Sequence, residues 1–421
     1  MYKVLNFLNG VKSMEFNYEI CFSKQVLLIL IIVFIGLIAV GSTFATDTDD
    51  SNNNVGNDSA LFNNQYINLE SSENSCKIVY SENELNTALN NNYSIIKIAE
   101  NISIINPIVI SKNNIVIDGM GHTIKTAEGF NSNKSCVFSV ECNGFNIVNC
   151  SFEDRVTKNI NAFCVKGNNC AIIDCNFTNY YTCKWCGAIN VKGDNFNLTG
   201  CYFLNCYSDD ETGGAVCVKG NNSAITNCKF INCSSDESGG AVSIDGTNCS
   251  VSASDFNNCY ADDYGGAIYV VADNFNLDSC SFVDCYSDDR SGGAVCVKGN
   301  NCTITNCNFI KCFTNAYRFI CYPLCAGGGA ISVEGNDCSI YNCSFKKCYI
   351  DSKWDISGGA IYVVGDNFYL SYCSFVNCYA SYQGGAVMIV GTNCSVNACN
   401  FSSCHAYDYG GAMYVKVIIL I

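Results

Sequence analysis

A tract of about 26 residues returns along most of this chain, and that recurrence limits the fold more than any other feature. GGAVCVKGNNSAITNCKFINC from Gly213 comes back as GGAVSIDGTNCSVSASDFNNC from Gly239 and as GGAIYVVADNFNLDSCSFVDC from Gly265. Further copies start at Gly292, Gly328, Gly358 and Gly384, a cut-off copy (GGAMYVK) at Gly410 and a degenerate one at Cys186. From Gly213 onward the steps are 26, 26, 27, 36, 30, 26 and 26 residues. A unit of that size cannot bury its own apolar face, so the units must stack into a solenoid.

Alignment of the copies shows which side chains face inward. After Gly-Gly-Ala an aliphatic pair two residues apart recurs: Val216/Val218, Val242/Ile244, Ile268/Val270, Val295/Val297. The residue between them varies freely (Asn190, Cys217, Ser243, Tyr269, Tyr362), which predicts a half-buried strand with that position outward. A second short strand carries Phe196/Leu198 and Phe275/Leu277 inward, and a third carries Cys228-Lys-Phe230 and its equivalents. Gly-x-Asn between the first two strands supplies residues that tolerate left-handed backbone at a sharp corner. Three strands, three bends and one variable loop per repeat predict an all-β, right-handed parallel β-helix. A Phe column from Phe152 to Phe401, with two earlier coils around Ile95–Ile124, implies about 12 coils stacked at ~4.8 Å. Before them, Ser81-Glu-Asn-Glu84 is a capping box followed by Leu85, Ala88 and Leu89, so a short N-terminal capping helix is expected.

The recurring Gly-Gly-Ala-[Ile/Val] followed by Phe and Asn resembles the repeats of chlamydial polymorphic outer-membrane adhesins. The chain is also similar to adhesin-like β-helix proteins of methanogenic archaea, whose first coils read much like Asn114–Ile124. The likeness spans roughly residues 77–416. Asn follows Phe by two positions here (Phe230-Ile-Asn232), where the chlamydial repeat has three. The resemblance implies a surface adhesin and association with a cell envelope, although no anchor is visible beyond the N-terminal apolar segment.

Lys3, Lys12 and Lys24 precede an apolar run from Val26 to Val40, and Gly41-Ser-Thr-Phe-Ala45 offers small residues for cleavage. Residues 1–45 therefore read as a signal peptide, 46–75 as a disordered polar leader, and 76–421 as the β-helix domain. Secretion to the cell surface follows, and it permits disulfides among the 33 cysteines. A formal net charge of −15 with few basic residues excludes nucleic acid as a partner.

Cysteines recur two residues before the Phe column and three after it. They read either as small buried hydrophobes or as column neighbours cross-linked between coils. The disulfide candidates are Cys201, Cys206, Cys228, Cys233, Cys280, Cys285, Cys307, Cys312, Cys343, Cys348, Cys373 and Cys378. Cys183-Lys-Trp-Cys186 is the single C-x-x-C pair, without the second pair a zinc site needs. Acidic loops before Gly-Gly place Asp209, Asp210, Asp262, Asp263, Asp288 and Asp289 where Ca²⁺ could bind, though a solvated acidic face needs no metal. No other cofactor is implied. Tyr269, Tyr362 and Tyr414, at the outward position of the first strand, are candidate ligand contacts. Arg318, in the irregular loop Phe313–Gly327, is another.

Pectin-lyase-like β-helices include enzymes that degrade polysaccharides, which need convergent carboxylates or a basic residue. No such group interrupts these repeats, so the chain is expected to be non-catalytic: an adhesin binding a glycan or a surface protein of another cell. A polysaccharide lyase or hydrolase and a passive envelope spacer are the alternatives.

Overall fold

The computed structural model describes residues 76–91, 93–130, 136–154, 159–183, 186–315, 327–352 and 356–417. They form a parallel β-solenoid of about 11 turns, as the repeats led us to expect. Its four sheets hold 12, 13, 12 and 9 strands, and within each the strands follow one another in chain order. One coil shows the plan. Val216–Val218 belongs to the first sheet, Ala224–Thr226 to the second and Lys229–Ile231 to the third. The pair Ser234–Ser235 adds a fourth sheet that the repeat pattern did not predict. Two residues are too few for an alternating pattern to register.

Equivalent residues pair directly from coil to coil: Val216 with Val242 and Val242 with Ile268, and Phe230 with Phe256 and Phe256 with Phe282. Register is rigid because a slip of one residue would turn the whole inward set outward. The Phe column consequently becomes a stack. The rings of Phe230, Phe256 and Phe282 lie 4.8 Å apart and within 6° of parallel.

The corners take the expected residues. Asn222, Asn248, Asn274 and Asn301 hold φ between 54° and 59°, where asparagine is among the few side chains at ease. Their amides form a ladder, Asn248 Nδ2 donating to Asn222 Oδ1 at 3.2 Å. At the Gly-Gly return the first glycine is left-handed (Gly239, φ +67°). The second has no space for a methyl group: a Cβ on Gly240 would lie 2.1 Å from the Tyr260 carbonyl oxygen.

The predicted capping helix, α1, spans Glu82–Asn90. Ser81 Oγ accepts from the Glu84 N–H, and Leu85, Ala88 and Leu89 are buried against the first coils. No helix among the described residues is long and apolar enough to cross a membrane. The apolar run Val26–Val40 lies outside the described residues.

All twelve cysteines proposed as disulfide candidates are free, buried thiols. Their S–H groups point at backbone oxygens, as Cys233 does toward Ile231 at 3.6 Å. Column neighbours in register sit at the strand spacing of ~4.8 Å, longer than the ~3.8 Å that a disulfide wants between Cβ atoms. Among the described residues one bridge exists, Cys186–Cys217, with Cα atoms 5.7 Å apart. It joins different columns: Cys186 stands where other copies have the first glycine, and Cys217 is the outward residue of the next coil's first strand.

Candidate functional site

The fourth sheet and the loop after it bring a row of aromatic side chains beside a row of aspartates. Its strands begin with Tyr181, Tyr207, Ser234, Tyr260, Tyr286, Phe313, Tyr349, Tyr379 and His405, and the second residue is buried in all but the last. The rings stack along the axis: Tyr260 on Tyr286 at 5.2 Å, Tyr286 on Phe313 at 4.9 Å, Phe313 on Tyr349 at 5.0 Å. Stacked this way, they offer solvent their edges and hydroxyls rather than their faces.

Directly after four consecutive strands, Tyr207–Ser208 to Tyr286–Ser287, comes an acidic column. The N–H groups of Asp209, Asp236, Asp262 and Asp288 donate to carbonyls one coil earlier, which sets the four in register. At its start, Tyr181 Oη donates to Asp209 Oδ2 and Tyr207 Oη to Asp209 Oδ1, both at 3.1 Å. A hydrogen bond with Asp236, reinforced by the two phenols, holds the Asp209 carboxyl below the ordinary range. Burial, together with the neighbouring Asp209 charge, pushes the Asp236 carboxyl up. The two adjoining carboxyl groups are thus displaced in opposite directions.

Two coils further on, the charges are neutralised locally. Arg290 Nε lies 3.1 Å from Asp263 Oδ1, and its Nη1 donates to Tyr264 Oη at 2.9 Å. Lys298 Nζ sits 3.6 Å above the Tyr264 ring, and Tyr269 stacks on that ring at 5.7 Å. Burial raises the Tyr269 hydroxyl to about 12. Asp288 accepts from Asn315 Nδ2 at 2.6 Å. Asp210 is exposed, and Asp262 and Asp289 are half-buried. Among the described residues no three His, Cys, Asp or Glu side chains converge to hold a metal ion.

The candidate tyrosines are placed differently from expectation. Tyr362 is only 3% exposed and packs with Met388 and Val390, so it is no surface contact. The chain entering Gly-Gly folds back over the outer face of the first sheet, and a Cβ on Gly327 would meet the Tyr362 ring at 2.6 Å. Tyr269 and Tyr414 remain half-buried. Arg318 lies outside the described residues.

An open groove of about 490 Å³ on the outer face of the third sheet was not anticipated. It crosses four coils and is lined by Thr123, Ser151, Phe152, Glu153, Asn176, Thr178 and Tyr202. Asn176 Nδ2 donates to Ser151 Oγ at 3.1 Å across neighbouring coils. Thr123, Ser151, Asn176 and Thr178 are small or short polar residues, which leaves space beside Glu153 and Tyr202; only their alignment across coils could have signalled it.

No protein-family profile matches the sequence, and no curated protein is detectably similar to it. The adhesin resemblance is thus supported at the level of fold and not of family. Solved structures of similar architecture include a PL6 alginate lyase in complex with trisaccharide, at 10% identity and a TM-score of 0.49 over 81% of this chain and 89% of that one. Another is the catalytic domain of a GH87 α-1,3-glucanase in complex with tetrasaccharides, at 14% identity and 0.49 over 80% and 67%. A third is the Dettilon tailspike protein, at 11% identity and 0.39 over 76% and 64%. These likenesses concern the fold. The expectation of a non-catalytic chain does not stand: catalytic domains are among the solved structures it is similar to.

Proposed function

We propose that this chain is a secreted, adhesin-like β-helix that binds glycans at a cell surface. The observation that carries the reading is the groove over four coils of the third sheet, with its hydroxyl, amide and carboxylate lining beside Tyr202. Sugar hydroxyls need such donors and acceptors, and an aromatic side chain suits their C–H faces. A polymer laid along the axis would meet a similar rung every ~4.8 Å. The formal charge of −15 favours neutral or amino sugars over polyanions.

A second reading, polysaccharide cleavage, is favoured by Asp209 and Asp236, whose opposed displacements suit proton transfer. One experiment separates the two. The protein is passed over a panel of immobilised polysaccharides, and retention and new chain ends are scored together. Retention that Tyr202→Ala or Glu153→Gln removes, without new ends, supports binding at the groove. New ends that vanish in Asp236→Asn support cleavage. Retention indifferent to the groove variants would refute the site.

A further inference from the structure

The C-x-x-C pair Cys183–Cys186 has no part in either reading, and its surroundings point to chemistry of its own. Cys186 is joined to Cys217, and both are almost fully buried, at 2% and 1% exposed. An external thiol therefore has no direct line to the bridge. Cys183, three residues before Cys186, is a free thiol and half-exposed. It is held in place: its N–H donates to Asn159 Oδ1 at 2.8 Å, and its S–H lies 3.3 Å from Tyr181 Oη. On the far side of the bridge, the Thr212 carbonyl oxygen is 2.7 Å from Cys217 Sγ.

We propose that Cys183, Cys186 and Cys217 form a thiol–disulfide exchange site that takes small dithiols, or the disulfides they become, as its substrates. The Cys183 thiolate attacks Cys186 Sγ. A Cys183–Cys186 bond forms as the Cys186–Cys217 bond breaks, and Cys217 leaves as a thiolate. Solvent returns to Cys217 the proton that Cys183 lost on ionising, and the new S–H donates a hydrogen bond to the Thr212 carbonyl oxygen, an acceptor already in place. No oxidant or reductant is consumed in this step, because one disulfide replaces another. The new disulfide includes the half-exposed Cys183 sulfur, which an external dithiol can attack. That dithiol is oxidised to its disulfide, and the chain gains two thiols. Electrons thereby pass from the surface to a bridge that solvent does not touch, within the coils that carry Tyr181 and Asp209.

The test treats the full-length native protein with limiting dithiothreitol, quenches with acid, alkylates the free thiols and maps the disulfides by peptide mass spectrometry. Wild type is expected to pass through a species with Cys183 linked to Cys186 and Cys217 alkylated. Cys183→Ser should slow loss of the Cys186–Cys217 bridge on the order of tenfold, since an intramolecular nucleophile acts at high effective concentration. Cys76→Ser, at a half-exposed thiol remote from the site, should leave the rate unchanged. Loss of the bridge at equal rates in wild type and Cys183→Ser, or a native protein without that bridge, overturns the proposal. Should Cys183→Ser lose its β-sheet circular dichroism, the mapping of wild type decides alone: absence of the Cys183–Cys186 species refutes the exchange.

Discussion

The stacked phenylalanines invite a direct measurement of what ring-on-ring packing adds to ordinary burial. Phe256 and Phe275 are each 1% exposed and lie in successive coils. Phe256 stands between two parallel rings at 4.8 Å, whereas the column neighbours of Phe275 are Cys249 and Cys302. Truncation of either to alanine opens a core cavity and should cost about 3–5 kcal/mol. Phe256→Ala also removes two stacked contacts, each worth about 0.5–1.5 kcal/mol beyond burial, so it should exceed Phe275→Ala by about 1–3 kcal/mol. Urea titration followed by circular dichroism would give both losses, and hydrogen exchange would show whether the damage stays within neighbouring coils, as expected for a solenoid. Equal costs for the two variants would refute a separate contribution from the stack.

Ser254 is the one non-cysteine in its column from Cys150 to Cys399, and its Oγ accepts from the Cys228 N–H at 3.0 Å. Ser254→Ala leaves that buried donor unpaired and should cost about 1–3 kcal/mol in urea melts. Ser254→Cys should be nearly neutral, because elsewhere in the column a sulfur takes this role, as Cys343 Sγ does for the Cys307 N–H at 3.4 Å. The Asp236 carboxyl is raised in the folded chain, so folding holds its proton more tightly, and stability is lost as pH climbs through the carboxylate range. Asp236→Asn should remove that loss and raise neutral-pH stability relative to pH 4; an unchanged pH profile in urea melts would contradict the assignment. Gly240→Ala should fail to yield a folded rod by circular dichroism, since the added methyl would lie 2.1 and 2.2 Å from two carbonyl oxygens.

Much of the architecture is legible in the repeats because each inward column is itself a row of like residues. Phe230, Phe256 and Phe282 align in the sequence just as they stack in space. The capping helix is equally plain, since Ser81 and Glu84 sit within one local motif. What escapes the pattern depends on contacts between parts of different coils. Tyr362 alternates like an exposed residue, and only the return of the chain over it makes it buried. Tyr181 and Asp209 are 28 residues apart, so no local spacing announces their hydrogen bond. The cysteine columns are visible in the alignment, whereas their thiol state turns on a difference of about 1 Å between strand spacing and disulfide reach.

The loop that enters Gly-Gly stretches one step of the repeat to 36 residues and the next to 30. Across both, Val295 still pairs with Ile331 and Ile331 with Ile361, and the Phe309, Phe345 and Phe375 rings keep their 5.0 and 4.8 Å spacing. Insertions at that junction are mechanically silent to the shaft. New surface can therefore be grafted at one fixed place on any rung, and a whole rung gained or lost changes only the reach of the protein. Such a molecule can diversify what it touches without renegotiating how it folds.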